Sequence, residues 1–561
     1  MTGQDVMNKH PEVLPPRRSS TRPWAALFVL ALAVFMTLLD LTIVNVAIPS
    51  IVDDVRASLD QVLWVLNAYS LAYAVLLITA GRLGDIFGPR NLFATGVLVF
   101  TIASGASGLA HDPVQLILAR GAQGVGAALL APQGLPIMTT IFAPERRAGV
   151  FAIYGSLAGL AVLAGPTLGG FIVTQFGWRW IFYVNLPVGL LTLALAFVFV
   201  PDLRPGRRHR LDLLGVGLAT VGLFGVVFGL IEGQRYAWGT VWAFVSIPGI
   251  LGAGVVVLAL FMAVQWTRQD REPLLRLTVF ADRNYSLMTL VLMVMGFAMV
   301  GLLLPLTIYL QSALGLSAVQ AGLTVAPMPL ASMLVAGPVA GLAGRFSGKY
   351  ILIAGLTLLA AGMAYVGWKV QADSGRWTLL PGLVIAGIGS GGVWVPTFSI
   401  ATRDLQPRLA GIASGVLSTI QELGVVLGSA VVGAVLQNRL ATELREQAVI
   451  HSHQLPPAAR AGFVDAFSRA ASDGLQVGRG QTGSSVSLPA DVPSQVAQLA
   501  HLVFAHAFVE AMRPTIFLSV ALLLTAAAGC LAVRARSRYA DLDAAGDAAS
   551  VASHPPSVRA R

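Results

Sequence analysis

Three ionisable residues stand where such residues are costly. Asp40, Arg120 and Glu422 each lie well inside a long apolar run. A charge near mid-bilayer costs about 2.5–3.5 kcal/mol on insertion scales, so it is kept where it faces a cavity or a partner. Counting about 1.5 Å per residue along runs that cross in opposite directions brings Asp40 and Arg120 to similar depth with opposite signs. Such a pair can be a static ion bridge. It can also be a relay in which Arg120 tunes the proton affinity of Asp40, and that is the reading adopted here. Glu422, beside Gln421 near the centre of its run, is a second candidate for holding a proton or a cation; packing is the alternative. Glu232 closes another run and is expected to reach water.

Other chemistries find little support. The nearest approach to a phosphate-binding glycine loop, Gly344 to Lys349, lacks the first glycine at the right distance and a following Ser or Thr. Energy from ATP is therefore not expected, which leaves an ion gradient. His451, His453, His501 and His506 follow no zinc spacing, so no metal and no cofactor are expected. Cys530 is the single cysteine, which excludes an intrachain disulfide.

The elements that must position these residues are membrane spans. Of the 561 residues 56% are hydrophobic and 11% charged, against about a quarter charged in soluble chains. Runs long enough to cross, about 20 residues, lie at 24–51, 62–80, 91–110, 114–135, 150–174, 181–200, 213–232, 241–265, 284–309, 319–341, 350–369, 379–400, 411–436 and 513–533. The chain thus reads as an all-α polytopic membrane protein of fourteen transmembrane helices. The first run is too long for a signal-peptide core.

The net charge of +10 is dispersed through short loops, which argues against nucleic acid as partner and for a topological role. Basic residues concentrate on the side of the N-terminus, so both termini are expected in the cytoplasm of a bacterial cell membrane. Lysine occurs only at positions 9, 349 and 369, an arginine-for-lysine bias that suggests a GC-rich bacterial genome.

The two ends of the chain echo each other. Gly81, Arg82, Gly84, Asp85, Gly88 and Arg90 follow the second run, and Gly344-Arg345-Phe346-Ser347-Gly348-Lys349 follows the tenth. Gly155, Gly159, Gly165 and Gly169 in the fifth run are matched by Gly411, Gly415, Gly424 and Gly428 in the thirteenth. The expected organisation is a tail (1–23), a six-helix bundle (24–200), an inserted helix pair with basic linkers (201–283), a second six-helix bundle (284–533) and a tail (534–561). A polar external loop at 437–512 holds helical stretches around a Gly/Ser-rich hinge at Val477–Ser487. Two six-helix halves with sites between them are a transporter arrangement. Physically, Gly81, Gly84 and Gly88 allow a tight turn in which Asp85, Arg82 and Arg90 act as a charge latch. Small residues in the fifth run permit close helix contact, and Pro166 removes a backbone donor.

On these residues the chain resembles the major facilitator superfamily, and within it the fourteen-span drug:proton antiporters. The first run carries Leu39-Asp40-Leu41-Thr42-Ile43-Val44-Asn45-Val46-Ala47-Ile48-Pro49; Trp64 and Asn67-Ala68-Tyr69 follow. Residues 81–90 are similar to the superfamily's interhelical motif. Arg120, Gln123, Gly124 and Gly126 resemble its second motif, and Gly165-Pro166-Thr167-Leu168-Gly169-Gly170 its antiporter motif. Trp178-Arg179-Trp180-Ile181-Phe182 with Asn185-Leu186-Pro187 completes the set.

The resemblance implies a major facilitator fold of two six-helix bundles plus an inserted pair. It also implies proton-coupled efflux of small lipophilic or cationic molecules by alternating access, without an obligatory protein partner. An importer or uniporter of the same fold would share most motifs, and a membrane sensor or enzyme is a further alternative. The deep charges Asp40, Arg120 and Glu422 are the candidates for proton coupling, and the resemblance implies Gly159, Gly165, Pro166, Gly169 and Gly170 for the antiporter helix. Asn45, Trp64, Tyr69, Gln123, Gln311 and Glu422 are candidates for the substrate pathway. One departure matters: relatives carry small neutral residues where Gln421-Glu422 stands, and the acid some carry in the tenth span is missing here, so a substrate class does not transfer.

Overall fold

The computed structural model describes residues 22–56, 59–203, 211–233, 236, 238–242, 245–269, 273–343, 347–403, 409–472 and 494–534. The linker 204–210, the first half of the Gly344–Lys349 echo and the Val477–Ser487 hinge lie outside the described residues, as do most of both tails.

The chain is helical almost throughout. The first half comprises α1 (Pro23–Val55), α2 (Leu59–Phe87), α3 (Pro89–Gly108), α4 (Pro113–Leu130), α5 (Gly134–Ile141), α6 (Pro144–Phe176), α7 (Trp180–Tyr183) and α8 (Asn185–Phe199). A pair, α9 (Leu213–Glu232) and α10 (Ile247–Thr267), follows. The second half holds α11 (Arg283–Ile308), α12 (Ala318–Val325), α13 (Pro327–Ala343), α14 (Gly348–Lys369), α15 (Leu380–Thr402), α16 (Ala410–Ser452), α17 (Pro457–Ser472) and α18 (Ser494–Gly529). Among the described residues, 13 helical segments are long and apolar enough to cross a membrane. The fifth expected span coincides with α6, whose 33 residues run about 50 Å.

The helix starts are chemically specified. Asp112 accepts from the backbone N–H groups of Val114 and Gln115, both at 2.9 Å, with Pro113 at the first helical position. Ser246 and Asp282 cap α10 and α11 in the same way, and Ser317 forms a capping box with Gln320 at α12. These side chains satisfy N–H groups that a helix end leaves without intrahelical partners.

The face at which α1 begins is here the near face, and the opposite one the far face. The turn expected at 81–90 is shorter than its three glycines suggested: α2 runs on through Gly81 and Gly84, and Gly88 alone turns the chain, at φ 87°. Gly84 serves close approach instead. A Cβ there would meet the Gln133 side chain at 2.0 Å.

The halves meet where α2 packs on α16 and where α6 packs on α13 and α15. The inserted helix α9 lies on both α2 and α16, with Leu223 and Val227 in one apolar cluster with Leu71, Val75 and Val426. At the near face Asp212 ties the pair together, accepting from Gln265 Nε2 at 2.7 Å and from Gly215 N at 3.0 Å. Burial works to raise this carboxyl, but the hydrogen bonds and Arg268 outweigh it and hold it below the ordinary range.

One expectation changes, and two features extend the sequence reading. Glu232 does not reach water: it is 1% exposed and accepts a hydrogen bond from Asn67 Nδ2 at 3.1 Å, because α2 covers the end of α9. The far-face segment holds the expected helical stretches, and they are packed together. The 43 residues of α16 extend about 65 Å, twice the hydrocarbon thickness, and pack with α17 and the start of α18 around Leu444, Phe467, Val503 and Phe508. Finally, a two-stranded antiparallel ribbon joins α9 to α10, Thr240 opposite Ser246.

Candidate functional site

Asp40 lies on α1 where Gly165 and Gly169 of α6 let the two helices touch. A Cβ on Gly165 would be 2.0 Å from Thr42 Oγ1, and one on Gly169 2.6 Å from Ile43 Cγ1. The small residues of the antiporter motif thus press against the turn that follows Asp40. Gly159 and Pro166 lie in the same continuous helix.

Asp40 and Arg120 are both fully buried and form an ion pair through Oδ2 and Nη1. The other carboxylate oxygen, Oδ1, accepts from Gln123 Nε2 at 2.8 Å and from Asn185 Nδ2 at 2.9 Å. Ser104 Oγ accepts from the same two amides, at 3.2 and 3.0 Å, and donates to the Phe182 carbonyl at 2.9 Å. Arg120 donates further, from Nη1 to Gln123 Oε1 at 2.8 Å and from Nε to the Val65 carbonyl at 3.2 Å. Tyr69 covers the guanidinium, ring centroid 4.5 Å from Cζ, a cation–π contact worth more where water is excluded. Helices α1, α2, α3, α4 and α8 therefore each supply one part of the cluster. Three donors thus converge on one carboxyl group.

Glu422 is placed differently. The backbone of α16 lies directly on α11, where a Cβ on Gly296 would be 2.4 Å from the Gln421 carbonyl. Glu422 itself is half-buried and within electrostatic reach of Tyr73 and Tyr69 on α2. It therefore acts across the boundary between the halves, whereas the Asp40 cluster belongs wholly to the first.

At the near face Arg82 is buried and Arg90 pairs with Asp202, just past α8, at 3.1 Å. The turn is thus tied to the end of the sixth span, a partner the sequence motif does not name. Asp85 stands on the last turn of α2.

Comparison with known proteins now decides the family. The model of the Major Facilitator Superfamily matches residues 30–264 and 209–429. An uncharacterized MFS-type transporter of Mycobacterium tuberculosis is 41% identical over 423 residues, 75% of this chain and 72% of its own length. The tetracenomycin C resistance and export protein of Streptomyces glaucescens is 35% identical over 424 residues, 75% of this chain and 77% of its own. The chain belongs to the major facilitator superfamily. It is a multi-pass membrane transporter rather than an enzyme, with relatives in the drug-exporting branch that its motifs resemble. The fold agrees: a major facilitator proton:xylose symporter superposes with a TM-score of 0.55 over 83% of this chain and 98% of its own, at 13% identity.

Within this major facilitator transporter the sequence-named residues fall into distinct places. Tyr69 and Gln123, candidates for the substrate pathway, are components of the Asp40–Arg120 cluster. Trp64 packs on Phe228 of the inserted helix, ring centroids 5.9 Å apart. Gln311 sits in a π-helical turn, Tyr309–Ala313, at the far end of α11. Asn45 lies on α1, its side chain outside the described residues. Ser104 and the site role of Asn185 are additions from the structure. Asn185 had a signal, the Asn185-Leu186-Pro187 motif; Ser104, a neutral residue in an Ala/Gly-rich span, had none.

The Trp178-Arg179 motif finds its partner at the far face. Asp54, near the end of α1, accepts from Arg179 and from Trp178 Nε1 at 3.1 Å, and Arg179 Nη2 reaches the Ala110 carbonyl at 3.1 Å. The hydrogen bonds from Arg179 and Trp178 hold the Asp54 carboxyl below the ordinary range. Its contribution to stability is therefore complete above the unfolded value of about 3.9 and is lost as pH falls through the lowered folded value. Exposed pairs contribute about 0–1 kcal/mol. Asp54→Asn should lower the thermal midpoint slightly at pH 7, and the gap from wild type should close as pH falls through the lowered folded value. A gap that widens in acid would contradict this clip.

Proposed function

We infer that this transporter exports small molecules in exchange for protons, with the near face in the cytoplasm. The observation that carries the reading is the sealed Asp40–Arg120 pair within a cluster of neutral donors. Burying an ion pair costs more in desolvation than its packing alternatives, so its retention suggests a use beyond stability. When Asp40 takes up a proton, the bonds from its three donors weaken and Arg120 loses its counter-charge. The acid is on α1 and its donors are on α4 and α8, so this change couples protonation to helix positions. A proton moving with the field supplies about 2.3 kcal/mol per 100 mV, enough for export against a gradient of tenfold or more. The drug- and antibiotic-export names of relatives support lipophilic or cationic substrates, and the bias of Lys and Arg supports the orientation.

Everted vesicles from an efflux-deficient host expressing the chain should accumulate such compounds when energised and release them on protonophore addition. A reporter after Arg561 should be active in the cytoplasm. Accumulation unaffected by the protonophore would remove proton coupling, and a reporter active only outside would reverse the orientation.

A further inference from the structure

Between α4 and α5 the chain reads Ala131-Pro132-Gln133-Gly134-Leu135-Pro136 and passes through a 3-10 turn at Ala131–Gln133. In a continuous helix the Pro132 carbonyl would accept from the N–H four residues on. That position is Pro136, which has no N–H. A buried carbonyl is thus deprived of its regular donor by the sequence itself, and buried carbonyls are rarely left without one. The donor comes from the other half of the molecule. Ser414, in the first turns of α16 and 4% exposed, donates from Oγ to the Pro132 carbonyl at 2.7 Å. Next to it, Gly415 brings α16 onto the backbone of α2: a Cβ there would lie 3.0 Å from the Leu77 carbonyl and 3.3 Å from Gly81 Cα. All of this lies toward the near face, where α4 ends, α2 ends and α16 begins.

We propose that the Ser414 hydroxyl and the Pro132 carbonyl form a reversible gate that closes the near face between the two halves. The inference rests on the reading that the halves move apart during transport. Its design is that closing and opening cost nearly the same. In the closed form Ser414 supplies the missing donor; in the open form water does, so the net value of the bond is small. Two further hydroxyls, of Thr79 on α2 and Thr419 on α16, are buried without hydrogen-bond partners in the closed form. Any opening that wets them returns what closure withholds. The closed state is therefore held by a narrow margin, as an equilibrium that substrate and proton must both be able to shift requires.

The test uses the full-length protein in nanodiscs with Cys530→Ser, carrying spin labels at Phe87→Cys on α2 and Tyr350→Cys on α14. Both positions are exposed, at 60% and 64%, and belong to different halves at the near face. Distance distributions by pulsed electron resonance should show the long-distance population rising in Ser414→Ala, by about two- to tenfold relative to the short one. Pro136→Ala, which returns an N–H to the carbonyl from within its own helix, should open the gate in the same direction. The double variant should open no further than the larger single effect, since both remove one bond. A distribution in Ser414→Ala that matches wild type overturns the gate, as does full additivity in the double variant. The distances are read without transport, so a failed export assay and a failed gate are separate results.

Discussion

Asp40→Asn is expected to abolish protonophore-sensitive export and also to weaken the fold, and the two losses can be separated. The asparagine side chain can still accept from Arg120, but it cannot bind and release a proton. Its amide also turns a donor toward Gln123 or Asn185, whose own amides already donate to that position. Arg120, fully buried, is left as a cation without counter-charge, and breaking a buried pair in this way costs about 3–5 kcal/mol. Removing both charges, as in Asp40→Asn with Arg120→Met, takes away that uncompensated ion. The double variant should therefore unfold close to the wild-type temperature while uphill export stays at background. Protonophore-sensitive export by a well-folded double variant would show that the pair is structural and that protons travel elsewhere. Recovery of neither stability nor export would point to the neutral members, Gln123, Asn185 and Ser104, as the part that the fold depends on.

The parts of this site that could be read from the sequence are those that carry a visible cost. Asp40 and Arg120 stand out because charges within apolar runs are rare, and counting along antiparallel runs was enough to bring them together. The spans were legible for a related reason: a bilayer imposes a minimum apolar length on every crossing. Ser104 pays no comparable penalty, since a serine can satisfy itself on its own helix, so its place in the cluster appears only when α3, α4 and α8 are packed. Glu232 was misread because a position at the end of a span does not say whether another helix covers it; α2 does. The helical stretches of the far-face segment were legible, but their packing around Phe467 and Val503 appears only when α16, α17 and α18 are placed together. Pro136 is an intermediate case. Its missing N–H is plain in the sequence, but that the answering donor is Ser414, 282 positions from Pro132, depends on how the halves close.

Glu422→Gln is expected to distinguish a substrate-binding acid from a proton carrier. The residue lies on the helix that pairs with α2 across the two halves, half-buried, within reach of Tyr73 and Tyr69. Its surroundings contrast with those of Asp40, which is enclosed by donors and has no exposed surface. A half-buried carboxylate in a poorly solvated setting attracts a cationic solute, because an ion there without a counter-charge is penalised by several kcal/mol. The glutamine keeps the shape and a carbonyl acceptor but not the charge. If Glu422 binds cationic substrates, export of mono- and divalent cations in everted vesicles should fall by about tenfold or more, corresponding to ~1.4 kcal/mol, while matched neutral compounds are carried as before. If Glu422 carries protons, both classes should fall together and the number of protons exchanged per substrate should change. The two outcomes differ because Glu422 faces the other half of the molecule whereas Asp40 is enclosed within the first. Unchanged export of both classes would return Glu422 to a packing role against α2.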